Sequence, residues 1–395
     1  MRSSTNRTTR SLASWSNFLG LVQIFPSTQT EQNLGHFTNH QTPFGANSPP
    51  TQAEKSEHCI PAYVRFKDMT LRKQSRLADE LGIWKTSQIG VFFDVLGTKQ
   101  MTRADYHDDL CLLRETVCLF SSIEQALEQA DMFHKYRSDQ QEKDIERLDF
   151  LFWRFSDNIF FLSNLPSKNK KEEYEAAFEG TLSLFLSNVS VFFCHMIAKG
   201  YLTRGGMCMG DAVLNNEAVL GSALTNSYRI ESSKKVNGGG VGVSKTVFDE
   251  FKSWANTTTA YGTNNSTEAR QTFKHWFVED KDAGTGDHKY PLLNIFHNEV
   301  LSDLSSVKIQ EMIQSISENL YILSNASHSG KEKNRSKWIW TAAHLYFSLV
   351  SVPKRQGGPL NSSARYWEDK FKRNFFDADF KQIQDKSMNI NYRNP

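Results

Sequence analysis

The stretch that most constrains this chain is residues 89–98, which read Ile-Gly-Val-Phe-Phe-Asp-Val-Leu-Gly-Thr. Five of its first seven residues are apolar, and such a run predicts a buried strand. Asp94 lies within that run, where a carboxylate has to be paired or bind a cation. Gly97 and Thr98 then allow a tight turn whose N–H groups could face an anion. The stretch therefore indicates either a site for a metal-bound phosphate or, more simply, a strand-end aspartate that caps a turn.

Composition and charge exclude several classes of protein. With 395 residues, 39% of them hydrophobic, the chain can build a sizeable core in one large domain or two ordinary ones. A net charge of +2 gives no argument for a nucleic-acid or acidic-membrane partner. Five cysteines without a CxxC pair suit a reducing cytosol. We expect a cytoplasmic protein without a signal peptide or a membrane span.

Three regions differ in pattern. Residues 1–57 are rich in Ser, Thr, Asn and Gln, which predicts a disordered or loosely packed tail. Residues 58–300 alternate strand and helix patterns and predict one α/β (α+β) domain, a mixed sheet covered by helices. Residues 301–395 have helical patterns and predict a C-terminal helical appendage.

The predicted elements follow in chain order. After the strand at 89–98 come a helix over about 105–136, a hairpin over 148–162, a helix over 173–198, strands over 202–209, 218–220 and 241–243, helices over 222–235 and 244–251, strands over 275–278 and 292–296, and helices over 304–323, 335–350 and 366–375. In the hairpin, two aromatic-rich runs flank a Ser-Asp-Asn turn. Asp157 projects from this turn and is a second carboxylate next to buried strands.

Four motifs, taken in order, resemble those of the class III nucleotidyl cyclases. Residues 92–97 (Phe-Phe-Asp-Val-Leu-Gly) resemble the family's first metal motif, and residues 155–158 (Phe-Ser-Asp-Asn) resemble the second. Residues 204–211 (Arg-Gly-Gly-Met-Cys-Met-Gly-Asp) resemble its Arg-x-Gly-Ile-x-x-Gly strand. Residues 221–231 (Gly-Ser-Ala-Leu-Thr-Asn-Ser-Tyr-Arg-Ile-Glu) resemble its Gly-Asp-x-Val-Asn-x-x-x-Arg-Leu-Glu helix. The sequences of these four motifs are most similar to those of the bacterial pyrimidine cyclases of the Pycsar antiphage systems.

The resemblance implies roles for these residues. Asp94 and Asp157 would hold two Mg²⁺ or Mn²⁺ ions that activate the ribose 3′ oxygen and neutralise the leaving pyrophosphate. Arg229 matches the transition-state arginine, and Asn226 would orient the ribose. The implied phosphate-binding residues are Val95, Leu96, Gly97, Thr98 and Arg204. Simpler readings are a surface residue for Arg204 and a helix-face ion pair for Arg229.

Three departures from the family concern the ribose and the base. Thr225 stands where the ribose-orienting Asn is usual, with Asn226 one residue later. Ser222 and Trp153 replace the Asp and Lys that read a purine in adenylyl cyclases, so either a different base is bound or the site is inactive. Retention of both metal carboxylates favours a different base. A bulky Trp153 would favour a pyrimidine, although a core position is its simpler reading, and strand alternation places Arg154 on the opposite face.

We therefore expect a uridylate cyclase. It would convert UTP to a 3′,5′-cyclic mononucleotide and pyrophosphate, as a homodimer with shared active sites. As the resemblance implies, the product would be a second messenger in antiphage defence, read by a cyclic nucleotide-sensing effector. The alternatives are a CTP-specific cyclase, a catalytically inactive cyclase-fold module that binds or regulates, and, more weakly, another two-metal enzyme with a polymerase-like palm. The two arginine motifs argue against the palm.

Overall fold

The computed structural model describes most of the chain from residue 83 onward. The described residues are 83–96, 109–140, 150–155, 157–165, 171–214, 219–233, 239–257, 275–280, 290–325, 331–356 and 360–393. All of them belong to one compact unit, residues 69–395. The tail predicted over residues 1–57 lies outside the described residues.

The described elements are strands interspersed with helices up to β8 and are mainly helical after it. The strands are β1 (Ile83–Val95), β2 (Phe150–Phe155), β3 (Asn158–Asn164), β4 (Thr203–Leu214), β5 (Val219–Leu220), β6 (Val241–Val243), β7 (Phe277–Asp280), β8 (Leu292–Leu293) and β9 (Ile390–Tyr392). The helices are α1 (Asp109–Gln140), α2 (Lys171–Ala198), α3 (Ser222–Ser232), α4 (Lys245–Thr257), α5 (Asn298–Asp303), α6 (Ser306–Asn325), α7 (Lys331–Tyr346), α8 (Val352–Gln356), α9 (Leu360–Asn374) and α10 (Asp377–Asn389), with a π-helical segment, Phe347–Ser351, between α7 and α8.

All nine described strands belong to one sheet. Its order is β2-β3-β1-β4-β6-β8-β7-β9, and β5 pairs with β4. β1 runs antiparallel to both of its neighbours, β3 and β4, whereas β4 and β6 are parallel. The predicted fold class, a mixed sheet covered by helices with further helices at the C-terminal end, is confirmed.

The two faces of β1 contact different helices because successive side chains of a strand point to opposite faces. Phe93 faces α2, where its ring centroid lies 5.4 Å from that of Phe192 and 5.0 Å from that of Phe193. Phe92 faces α3 and belongs to a second, smaller apolar cluster. Asp94, two residues after Phe92, therefore lies on the face that α3 covers.

The region after residue 301 is helical as predicted, and it also completes the sheet. β9 pairs antiparallel with β7, with Val278 opposite Tyr392. The buried side chains Ile339 of α7 and Ile390 of β9 belong to the same core as β1. Among the described helices, none combines the length and the apolar character needed to cross a bilayer.

Candidate active site

The β2–β3 hairpin brings the two predicted metal carboxylates to one end of the sheet. Asn158, the first residue of β3, lies directly opposite Asp94 in the β1–β3 register. The N–H of Val95 donates to the carbonyl oxygen of Asp157 at 3.3 Å. Asn158 Nδ2 also donates to Asp157 Oδ1 at 3.2 Å, which restricts that carboxylate. Asp94 and Asp157 are thus neighbours and only half-buried.

This pair suits one particular class of metal ion. The described residues contain no group of three or more His, Cys, Asp or Glu side chains arranged for a metal. A closed zinc site, which needs several such ligands, is therefore not supported within the described ranges. Mg²⁺ is commonly held by one or two carboxylates together with water and substrate phosphates. The half-buried carboxylates of Asp94 and Asp157 fit that donor set.

The turn predicted to bind phosphates, residues 95–98, is only partly described. The N–H of Val95 is engaged with Asp157, and the N–H of Leu96 donates to the carbonyl oxygen of Leu202 at 2.8 Å. These two amides therefore hold the end of β1 to its neighbours. Gly97 and Thr98 lie outside the described residues, and their phosphate-binding role stays a prediction.

Arg204 lies on the other side of Asp94, opposite it in the β1–β4 register. Its Nε and Nη2 donate to Oε1 of Glu231 at 2.8 and 2.5 Å. Glu231 is only 3% exposed, so this pair joins α3 to β4 in a region of low solvent access. The sequence analysis did not identify Glu231 as a partner of Arg204. Its position on the buried stripe of α3, four residues after Ser227, is the signal that could have done so.

Small residues allow α3 to lie directly on the sheet. A Cβ on Gly206 would lie 2.1 Å from the carbonyl oxygen of Ser227, and one on Gly210 would lie 2.5 Å from Ser222 Oγ. Ser227 Oγ donates to the carbonyl oxygen of Gly90 at 3.0 Å, which ties the helix to β1. The close packing of α3 against the sheet determines which face of the helix is buried.

The predicted catalytic pair lies on the outward stripe of α3. Arg229 is exposed, and Asn226, three residues earlier, is half-buried. Residues three apart share one side of a helix, so these two side chains are neighbours. Thr225 Oγ1 donates to the carbonyl oxygen of Gly221 at 3.0 Å. Because that hydroxyl is used within the helix, Asn226 is the better candidate for contacting a ribose.

The predicted base-pocket residues lie on the α3 side of the sheet. Trp153 is opposite Phe160, their ring centroids are 6.2 Å apart, and Trp153 is half-buried against the smaller cluster. Ser222 Oγ accepts from the N–H of Asp211 at 2.9 Å. Arg154 faces α1 instead, where its Nη1 contacts Glu124 Oε1 at 3.0 Å. The predicted opposition of Trp153 and Arg154 is therefore observed.

Tyr228 is a further group at this site that the sequence analysis did not single out. Its ring packs edge-on against Phe92 with centroids 5.3 Å apart. Burial, followed by the negative charges of Glu231 and Asp94, raises the pKa of the Tyr228 phenol. Tyr228 thus stays neutral at physiological pH and places an uncharged hydroxyl within electrostatic range of Asp94.

No protein-family model and no curated protein sequence matches the chain. The solved structures that align with part of it include cyclase domains. They include the catalytic core of a rhodopsin-guanylyl cyclase with converted specificity in complex with ATPalphaS (11% identity, 53% of this chain, 93% of that chain, TM-score 0.28). Another is the adenylyl cyclase CyaB from P. aeruginosa (14% identity, 43% of this chain, 83% of that chain, TM-score 0.27). A third is the non-canonical dimeric guanylyl cyclase domain of the RhoGC fusion protein from the aquatic fungus Blastocladiella emersonii (12% identity, 43% of this chain, 85% of that chain, TM-score 0.28). At these identities and TM-scores, the function has to be inferred from the chain's own residues.

Proposed function

We propose that this protein is a nucleotidyl cyclase that converts a pyrimidine nucleoside triphosphate, UTP in preference to CTP, to a 3′,5′-cyclic mononucleotide and pyrophosphate. The observation that carries the proposal is the adjacency of Asp94 and Asp157, with Arg204 on the opposite side of Asp94. Two carboxylates beside a guanidinium at one strand end can bind a metal-complexed triphosphate. The order of the four motifs along the chain supports the same assignment.

The reaction is an intramolecular phosphoryl transfer. A bond forms between the ribose 3′ oxygen and the α-phosphorus, and the bond from that phosphorus to the bridging oxygen breaks. The electron pair leaves with pyrophosphate, and the proton of the 3′ hydroxyl passes to water. Mg²⁺ or Mn²⁺ held by Asp94 and Asp157, two ions in the full site, would supply Lewis-acid activation and charge neutralisation.

Arg204 can bind the triphosphate while it remains paired. A guanidinium has five N–H donors, and Glu231 takes one from Nε and one from Nη2. The Nη1 donors are not used in that pair and can contact a phosphate oxygen. Glu231 would thereby orient Arg204, and the fixed orientation lowers the entropy cost of phosphate binding.

The catalytic pair on α3 would act on a second copy of the chain. Arg229 is exposed on the outward side of the helix, whereas the neighbouring Glu231 is buried against the sheet that carries Asp94. Arg229 of one subunit would stabilise the charge that develops at the α-phosphorus bound by the other, and Asn226 would orient the ribose. The proposal therefore includes a homodimer with shared active sites.

Trp153 and Ser222 support a pyrimidine as the preferred base. Ser222 already accepts a hydrogen bond from Asp211, so its O–H proton is available to donate. Its second lone pair can also accept from the amino group of cytosine, so Ser222 fits either pyrimidine, and the preference for UTP over CTP is supported by the resemblance of the motifs. Trp153 would restrict the pocket to a single ring, and an unmatched polar group costs a large factor in specificity. The cyclic product would be the second messenger of an antiphage system and would act through a cyclic nucleotide-sensing effector.

Product analysis tests the proposal. The purified full chain is incubated with each of the four ribonucleoside triphosphates and Mn²⁺, and the products are resolved by chromatography. We expect cyclic UMP as the main product, with Asp249→Asn, a change at an exposed carboxylate of α4, as active as the unmodified protein. ATP as the best substrate would refute the pocket argument. No cyclic product from any triphosphate would favour an inactive cyclase-fold module instead.

A mixing experiment tests the shared site. Asp94→Asn and Arg229→Ala proteins, each inactive alone, should regain part of the activity when subunits exchange, because a heterodimer contains one intact site. Asp94→Asn mixed with Asp157→Asn is the matched control and should stay inactive, since both changes affect the same half of a site. No recovery in the first mixture, with subunit exchange shown independently, would exclude the shared-site geometry.

A further inference from the structure

Helix α7 of the C-terminal region lies near the start of β4, because Thr341 Oγ1 and the carbonyl oxygen of Thr203 are both close to Gly239. Lys337, Thr341 and His344 are spaced by four and three residues and so share one side of this helix. Thr341 and His344 are fully buried, and His344 Nε2 lies 2.9 Å from Oδ1 of Asn294. Lys337, one turn before Thr341, is half-buried. The side of α7 that carries Lys337 therefore faces the protein interior.

Gly239 links this side of α7 to the start of β4. A Cβ on Gly239 would lie 3.2 Å from the carbonyl oxygen of Thr203 and 3.4 Å from Thr341 Oγ1. Thr203 immediately precedes Arg204, the residue opposite Asp94. Thr341 is thus close to the residue that precedes Arg204.

The electrostatics of Lys337 agree with this position. Burial, followed by the positive charge of Arg204 and that of Lys333, lowers the pKa of the Lys337 ammonium, whereas Asp94 raises it. Both Arg204 and Asp94 are therefore within electrostatic range of this side chain. Lys337 is thus a second cation near Asp94, contributed by a helix that lies far along the sequence.

The two cations at this end of the sheet have different surroundings. Arg204 is neutralised by the buried carboxylate of Glu231 at 2.5 Å. Within the described part of the chain, the Lys337 ammonium donates to Oδ1 of Asn334 at 3.4 Å and forms no ion pair. Burial and the positive charge of Arg204 disfavour the Lys337 ammonium, and the negative charge of Asp94 offsets this only in part, so a bound anion would stabilise it. A triphosphate carries that charge.

We propose that Lys337 is a phosphate-binding residue of this site and contacts the terminal phosphates of the nucleotide, which leave as pyrophosphate. The inference rests on the proposed function, because it assigns the C-terminal helices to the same site. As a compact point charge on a flexible stem, a lysine can follow the phosphates as the pyrophosphate separates. The C-terminal region would thus supply part of the active site.

The test uses the full chain and inorganic tripolyphosphate with Mg²⁺ as the probe. In calorimetric titration, Lys337→Gln should weaken tripolyphosphate binding about 10- to 100-fold, the range for a lost hydrogen bond to a charged group. Lys337→Arg should restore most of the affinity. Lys381→Gln, which removes an exposed lysine of α10, is the matched control and should bind as the unmodified protein does. With the preferred triphosphate, kcat/KM should fall by the same factor.

The outcomes separate this inference from the proposed function. If the unmodified protein forms no cyclic product but binds tripolyphosphate more tightly than Lys337→Gln does, the proposed function fails and the role of Lys337 in binding stands. Unchanged binding in Lys337→Gln overturns the role of Lys337 whatever the turnover. A lowered thermal midpoint with unchanged binding also overturns it, since Lys337 would then be structural. Absence of tripolyphosphate binding by the unmodified protein refutes the inference directly.

Discussion

Replacing Arg204 should destabilise the protein through Glu231. Arg204→Met removes the guanidinium that contacts Glu231 Oε1 at 2.8 and 2.5 Å and leaves a carboxylate that is 3% exposed. Breaking a buried ion pair by removing one partner costs about 3–5 kcal/mol. Because the Arg204 side chain is 24% exposed, we expect the lower end, about 3 kcal/mol. That loss reduces the ratio of folded to unfolded protein roughly 100-fold, at about 1.4 kcal/mol per factor of ten.

A double-mutant cycle measures the contribution of the Arg204–Glu231 ion pair to the free energy of unfolding. Urea unfolding followed by tryptophan fluorescence gives the free energy of unfolding for Arg204→Met, Glu231→Leu and the double variant. The double variant should recover most of the stability, because no buried charge remains, with a coupling of about 2 kcal/mol or more between the two positions. It should stay inactive, because the Nη1 donors for the triphosphate are also lost.

Arg229→Met is the control. It changes an exposed arginine of α3 and should alter the free energy of unfolding by less than about 0.5 kcal/mol while it abolishes turnover. Arg204→Met with a loss below about 1 kcal/mol would refute the reasoning, since that is the range of an exposed pair. A double variant no more stable than Arg204→Met would refute it as well.

Three further predictions concern the metal carboxylates, the packing of α3 on the sheet and the pH dependence of stability. Asp94→Asn or Asp157→Asn should abolish turnover with the thermal midpoint preserved, and near-normal activity in either variant would remove the metal proposal. Gly206→Ala places a Cβ 2.1 Å from the Ser227 carbonyl oxygen and should cost about 1–3 kcal/mol or more in urea unfolding, so unchanged stability would contradict the close packing of α3. Burial lowers the pKa of His344 from 6.5 to about 3, so its contribution to stability is complete above pH 6.5 and is lost as the pH falls towards 3. The unmodified protein should therefore lose part of its stability advantage over His344→Gln between pH 7 and pH 5. Unfolding midpoints of the two proteins that differ by the same amount across that range would contradict this prediction.

The local pattern of apolar residues was sufficient to predict the strands that carry the candidate site. The apolar run around Phe92 and the aromatic hairpin that contains Asp157 are continuous in sequence, and both form strands that overlap the predicted ranges. β1 begins at Ile83 rather than at residue 89, because strand pairing with β4 extends it through residues without an apolar run. The mixed sheet followed from the alternation of such segments.

Elements stabilised by distant contacts could not be predicted in this way. α10 buries Asp379, Ile383 and Ser387, a stripe spaced by four residues of which two are polar, so hydrophobic periodicity does not reveal it. β9 has only three residues and depends on pairing with β7, more than a hundred positions earlier. α5 is also too short for periodicity to identify.

The same distinction applies to the candidate site. The motif residues Asp94 and Asp157 were identifiable because carboxylates next to apolar strands are chemically unusual. Glu231 and Lys337 were not, because a glutamate or a lysine on a helix is ordinary until the structure shows that it is buried. Their partners lie on other elements, and no local pattern in the sequence connects them.

The charged groups on the two sides of α3 argue that the protein acts as a dimer. Its inner side contributes Glu231, which holds Arg204 beside Asp94, and its outer side carries Arg229. An α-helix with its side chains is about 10–12 Å across, so the inner and outer groups point away from each other over that distance. One chain therefore separates the groups that we propose to bind the triphosphate from the arginine that would act on it. A second copy that presents its own α3 to the first resolves the separation, and for this reason we expect turnover to require the dimer.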